Sequence, residues 1–151
     1  MKKAVFFPAV LVLFPAVCHA QEPAPPFKAF TDVIQTMEWI LEPAAEVIWG
    51  SAGTIITAQG SQELAPTSDE GWQEVVQAAA LVAETGNLLM IPGRNAGPDW
   101  QGYAQDLVDA GATALSAAQA RDSDALFDAG GQIYQVCLAC HTQYMAGSRD
   151  N

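Results

Sequence analysis

The sequence predicts an all-α protein, built as an antiparallel four-helix bundle. Three observations carry that expectation. Apolar residues recur at helical spacing almost throughout, no convincing strand alternation is visible, and Pro- and Gly-containing breaks divide the chain into four helical segments of about twenty residues with short connections. One apolar stripe per segment suffices for a core, and a cofactor held between helices is a recurring use of that architecture.

The first helix is expected over about Phe27 to Trp49, with Phe27, Phe30, Ile34, Met37, Leu41, Ala44 or Ala45, and Ile48 along one stripe. Pro43 should kink it or split it near Glu42, because proline lacks an N–H and its ring meets the preceding turn. Glu38, Glu42 and Glu46 form an acidic ridge at helical spacing, read as a solvated face. Gly50 to Pro66 reads as a connecting loop, with one short helical turn around Thr54 to Ala58. A second helix begins near Ser68, where Thr67 and Glu70 are spaced as a capping box. It turns Trp72, Val75, Val76, Ala79, Val82 and Ala83 inward, has Gly86 as a weak point, and stops before Pro92-Gly93. Asn95-Ala96-Gly97-Pro98 delivers proline to the first position of an alanine-rich third helix, about Pro98 to Ala120. Asp122-Ser123-Asp124 caps the fourth, about Asp124 to Met145.

The N-terminus has a different layout. Met1-Lys2-Lys3 precedes an apolar run from Ala4 to Val17, then Cys18-His19-Ala20 and a proline-rich start at Gln21. That is the layout of a secretory signal peptide, residues 1–20, cleaved after Ala20, followed by a disordered stretch at 21–26 and a single domain over 27–147. A membrane anchor is the alternative, but the run is short and broken by Pro8 and Pro15, so no membrane span is expected after processing. A lipoprotein with Cys18 as the lipidated residue is the other alternative, for which Val17 is a poor preceding residue. After cleavage, seventeen acids face only Lys28, Arg94, Arg121 and Arg149, thirteen net negative charges. Nucleic acid is excluded as a partner by repulsion, whereas a protein with a basic docking surface would be steered in. A soluble acidic surface with no particular partner fits the same charge.

The segment Cys137-Leu-Ala-Cys140-His141 carries the chemistry. Cys-x-x-Cys-His is the attachment signature of haem c. Positions three apart share a helix face, so two thiols can add to the two vinyl groups of one porphyrin while the adjacent imidazole holds the iron. Removal of Cys18 and His19 with the signal peptide leaves two cysteines and one histidine, all inside this motif. Other uses of Cys-x-x-Cys fit less well. A disulfide suits an oxidising compartment, a thioredoxin-type site wants a strand–helix neighbour, and zinc wants a fourth ligand that the mature chain lacks. Export and the motif agree, because covalent haem attachment in bacteria takes place outside the cytoplasm; the expected location is the periplasm.

These residues resemble the class II cytochromes c, the group that contains cytochrome c′ and the low-spin cytochromes c-556. The resemblance rests on Cys137-x-x-Cys140-His141 in the last helix, on Pro98-Asp99-Trp100 opening the third, and on the run from Asp124-Ala125-Leu126-Phe127 to the motif. It covers about Phe27 to Met145 and is strongest over the last fifty residues. Two features depart from the pattern: no base directly follows Tyr144, and the first helix lacks an arginine that often meets a haem propionate. Arg94 is then the remaining candidate propionate contact, its other reading being a solvated loop charge. Family members often dimerise through the first two helices, so a homodimer is one expectation; the alanine-rich faces here leave it open.

His141 is the expected proximal iron ligand, since no other imidazole remains. The resemblance implies that the first helix covers the opposite face, where a methionine is the ligand in low-spin members; Met37 is that candidate, its alternative being an ordinary core residue. Met145 lies on the proximal side, and Met90 could reach only if the end of the second helix tucks inward. Trp39, Trp49, Trp72, Trp100, Tyr134 and Tyr144 are expected to pack in the core or on the haem. A Met-ligated iron implies a periplasmic electron carrier working by outer-sphere transfer. An open distal face implies instead a five-coordinate, cytochrome c′-like protein that binds NO or CO. A third reading is a haem-bearing docking subunit of a larger respiratory complex. No acid–base pair or metal cluster stands out, so no enzyme activity is expected.

Overall fold

The computed structural model of the protein describes residues 27–145. The expected signal peptide, the stretch 21–26 and residues 146–147 of the expected domain lie outside the described residues. The described chain is mostly helical, with one small two-stranded sheet. No helix among the described residues is long and apolar enough to cross a membrane.

The first helical stretch has three parts: α1 (Val33–Thr36), a π-helical turn (Met37–Leu41) and α2 (Glu42–Gly50). Asp32 starts it with a capping box. Its carboxylate accepts the Gln35 N–H at 2.7 Å, and the Gln35 side chain accepts the Asp32 N–H at 3.2 Å. The break comes where Pro43 predicts it, as a π turn that closes with the Glu42 N–H on the Met37 carbonyl and leaves Pro43 in the first turn of α2. The wider turn changes the period, which corrects the expected stripe. Leu41, Ala44, Ala45 and Ile48 are buried, but Phe27, Phe30 and Ile34, upstream of the turn, are exposed. The helix also begins at Val33 and not at Phe27.

A second correction follows α2. The expected loop and helical turn are a β-hairpin, β1 (Thr54–Thr57) antiparallel to β2 (Gly60–Glu63), with Thr54 opposite Glu63 and Thr57 opposite Gly60. Thr-Ile-Ile-Thr is an unbroken β-branched run, stiff at χ1 and better suited to a strand than a helix. Both strands are exposed throughout, so no inward and outward alternation marked them in the sequence.

The remaining elements are α3 (Asp69–Leu89), α4 (Trp100–Ala120) and α5 (Ser123–Tyr144). Ser68 caps α3 through the Gly71 N–H at 3.1 Å, one residue later than the Thr67–Glu70 pair predicts. Pro98 precedes the α4 cap residue Asp99, so it is not the first helical residue as expected. Between α4 and α5, Arg121 takes the left-handed conformation, with φ 55°. The Asp122 N–H then reaches the Ala117 carbonyl at 3.0 Å and the Arg121 N–H the Ala118 carbonyl at 3.1 Å, a Schellman closure that lets Asp122 cap α5 at once.

The helices α3 and α4 meet nearly backbone to backbone. A Cβ on Gly86 would lie 2.6 Å from the Ala104 carbonyl oxygen, and one on Gly111 would lie 2.5 Å from the Ala83 nitrogen. Ala83 opposes Gly111 while Gly86 opposes Ala104 and Val108, so the two helices run in opposite directions. Gly86 is thus a close-approach residue, not a weak point. Longer ties complete the packing: the buried Trp100 indole donates to the Leu89 carbonyl at 2.7 Å, and the Trp49 indole to the Gly130 carbonyl at 2.9 Å.

Substitution at the seam should separate sharply from substitution outside it. In Gly111→Ala the new methyl meets backbone, so overpacking of about 3 kcal/mol exceeds the roughly 1 kcal/mol gained in helix propensity. Gly102→Ala, with open space around it on the same helix, should gain about 0.5–1 kcal/mol. Thermal or urea unfolding of the two variants checks both signs.

Candidate functional site

The site is built on the last turns of α5. Cys137 and Cys140 are three apart, and Cys137 and His141 four apart, so all three belong to one side of an unbroken helix. Both cysteines are half-buried and carry free thiols, while His141 is exposed. Across from them stands the π turn. A narrow cavity of about 30 Å³ is lined by Met37 and Leu41 from that turn, Leu89 and Trp100, Tyr103 and Leu107 of α4, and Cys137, Cys140 and His141. A second, more open cavity of about 340 Å³ shares Met37, Leu41, Cys137 and His141 and is bordered by Trp49, Tyr134 and Leu138. Met37 and the motif therefore line the same space from separate elements.

The walls are almost wholly apolar side chains, suited to a flat, largely apolar group. Aromatic packing fixes one end. Tyr144 stands edge-on to Trp100 with centroids 5.5 Å apart and to Tyr103 at 6.2 Å. Its ring also fills the space over Gly97, where a Cβ would come within 2.8 Å. The Tyr103 hydroxyl donates to the Gln143 amide oxygen at 2.7 Å, and Gln143 donates to the Asp99 carboxylate at 2.9 Å, tying the start of α4 to the end of α5.

The other residues singled out in the sequence are placed as follows. Met90 ends α3 half-buried against the core, and Met145 follows α5 on the motif's own helix. Trp72 is buried in the core, whereas Trp39 is 62% exposed and packs on neither cavity wall. Glu38, Glu42 and Glu46 are all exposed. Arg94 is 6% exposed, which corrects its reading as a solvated loop charge. Its guanidinium donates to the Leu88 carbonyl at 2.6 Å and to the Thr31 carbonyl and hydroxyl at 2.9 and 3.0 Å, and it lines neither cavity.

Leu89, Tyr103 and Leu107 were missing from the sequence reading. Trp100, Tyr103 and Leu107 recur at helical spacing and could have been read as one face of α4. Thr31 carried no signal, since its partner Arg94 is sixty-three positions away. Among the described residues, no group of three or more His, Cys, Asp or Glu could by itself hold a metal ion.

Burial pushes both thiols above the usual cysteine range. For Cys137 desolvation outweighs a hydrogen bond from its backbone, and for Cys140 desolvation is reinforced by the neighbouring Cys137. Comparison of the chain with protein-family models, curated proteins and solved structures finds no match.

The raised values fix a pH dependence for the chain without a bound group. Because the folded state favours neutral thiols, their contribution to stability is whole below the unfolded thiol pKa and is lost as pH rises through the folded values. Iodoacetamide should accordingly label Cys137 and Cys140 more slowly in the folded chain than in urea at pH 8, with the gap closing at higher pH. Equal rates with and without urea at pH 8 would contradict the burial of the thiols.

Proposed function

We propose that the chain is an exported monohaem c-type cytochrome of the class II kind, an antiparallel four-helix bundle that carries single electrons in the periplasm. The carrying observation is that Met37, Cys137 and His141 line the same pair of apolar cavities, with Cys140 on the wall of the narrower one. The donor set fits haem c and little else. It offers two thiols at the attachment spacing, one imidazole and one thioether from an opposing element, and walls of leucine and tryptophan. Bound there, a haem would supply one-electron iron chemistry.

The chain's own residues would do the rest. Cys137 and Cys140 would hold the group covalently to α5, and His141 would supply a nitrogen ligand from the same turn. Met37 would supply a sulfur ligand from the π turn, which would raise the reduction potential of the iron. Leu41, Leu89, Trp100 and Leu107 exclude water from the interior side. On the outer side, Tyr134, Leu138 and His141 are exposed, which leaves an edge for outer-sphere transfer at a docked surface. Thirteen net negative charges on the processed chain suit a basic redox partner.

Expression in a host that matures c-type cytochromes tests the reading. The secreted chain should gain the mass of one haem and show a sharp reduced α-band that CO leaves unchanged. Met37→Ala should convert it to a high-spin form that takes CO. A colourless chain of unmodified mass would refute the proposal, and an unsubstituted protein that binds CO at once would replace the carrier with a five-coordinate gas binder. Electron exchange with a basic partner should slow as salt is raised.

A further inference from the structure

The buried arginine has a role that its distance from the cavities conceals. We infer that Arg94 is a positioning residue for the Met37 sulfur, acting through a polar clamp on the segment that precedes the π turn. The inference rests on the proposed His141/Met37 ligation and names what holds the methionine in place.

α1 is the opening turn of the helical stretch Val33–Gly50, set off from α2 by the π turn. Apolar burial anchors it only in part: Val33 is half-buried against the core, while Ile34 and the preceding Phe27 and Phe30 are exposed. Its one buried residue is polar: Thr36 is 0% exposed, immediately before Met37. The Thr36 hydroxyl donates to the Asp32 carbonyl at 2.7 Å and lies 2.8 Å from the Thr31 hydroxyl. Arg94 donates to that same Thr31 hydroxyl at 3.0 Å and to the Thr31 carbonyl at 2.9 Å. With Arg94 and Thr36 both acting as donors, the remaining hydroxyl proton, that of Thr31, falls to Thr36. The relay from Arg94 through Thr31 to Thr36 then has one donor for each acceptor.

The other end of the clamp is equally fixed. Arg94 reaches the Leu88 carbonyl at 2.6 Å near the end of α3, and its own N–H closes a turn on the Ile91 carbonyl at 3.1 Å. The guanidinium thus bridges the end of α3 to the start of the first helical stretch. Both terminal nitrogens are engaged inside the fold, and Arg94 lines neither cavity. A buried charge held by two carbonyls and a hydroxyl is strongly oriented, because leaving any of them unpaired is costly. A thioether is a weak ligand, so loss of the clamp should appear first as a larger fraction of protein with Met37 off the iron.

The test uses the haem-loaded protein and reads CO affinity of the reduced form together with the low-spin spectrum. Arg94→Met keeps the length of the side chain and removes its donors. Apparent CO affinity should rise about tenfold, in proportion to the Met-off fraction, with both thioether bonds intact by mass. Arg94→Lys should recover only part of the change, since a single ammonium cannot reproduce the fork between Leu88 and Thr31. Thr31→Val, which removes one hydroxyl, should lie between the two and decides the matter if Arg94→Met does not fold. Gly111→Ala, destabilising but remote from the clamp, should leave CO affinity unchanged. If Arg94→Met and Thr31→Val match the unsubstituted protein in CO affinity and spectrum, the positioning role is wrong while the ligation stands. The role also fails if Gly111→Ala raises CO affinity as much as they do, which would make the effect one of general stability. If the unsubstituted protein already binds CO as Met37→Ala does, the ligation itself is wrong and the positioning role falls with it.

Discussion

The near contact of α3 with α4 sets where this protein can hold anything. Gly86 against Ala104, and Ala83 against Gly111, bring the two backbones so close that no side chain fits between them. A core closed on that side has no room there for a large group. Free volume is left beside the seam: Leu89 of α3 and Trp100, Tyr103, Ala104 and Leu107 of α4 line the narrow cavity together with the π turn and α5, and the π turn and α2 border the wider one with α5. An α4 with larger residues at positions 104 and 111 would spread the helices evenly and distribute the void.

The interior of the described chain contains few buried polar side chains, and each makes at least one hydrogen bond, although Arg94 Nε has no partner among the described residues. Thr85 returns its hydroxyl to the Leu81 carbonyl at 2.6 Å within α3, while Thr36 and Arg94 belong to one connected clamp. Groups of this kind are tolerated because their partners are supplied, and they orient what they touch more strictly than apolar packing does. The π turn lies immediately downstream of the clamp. An extra residue per turn rotates everything before it, and that rotation separates the exposed Ile34 from the buried Leu41. Met37 stands at the junction, set by the clamp on one side and by the proline-induced turn on the other.

Most of the helical content was legible because its signals are local. Asp122 as a cap, the stop before Pro92-Gly93, the break near Pro43 and the stripe of Trp72, Val75, Ala79 and Val82 all depend on residues within a turn or two of one another. The hairpin at Thr54–Glu63 was missed because it buries neither face, so its sequence carried propensity without pattern. Ile34 was misplaced because an α-helical period was carried through a π turn, and Phe27 and Phe30 because the helix begins only at Val33. The reading of Arg94 as a solvated loop charge failed for a different reason: nothing near it in the sequence announces that Thr31 and Leu88 will supply its acceptors.

The amino-acid order alone determined which atoms of the last helix can share one side, since the spacing of Cys137, Cys140 and His141 on a helix is a matter of bond geometry over a single turn. It also determined the acidity of the chain and the position of the proline that interrupts the first helix. Only the tertiary structure decided that Met37 lines the same cavities as Cys137 and His141, that Arg94 is buried and not solvated, and that two glycines bring α3 against α4. These are relations between residues tens of positions apart. Their distances are set by how helices pack, and packing sums over the whole core, so no short window of sequence contains it.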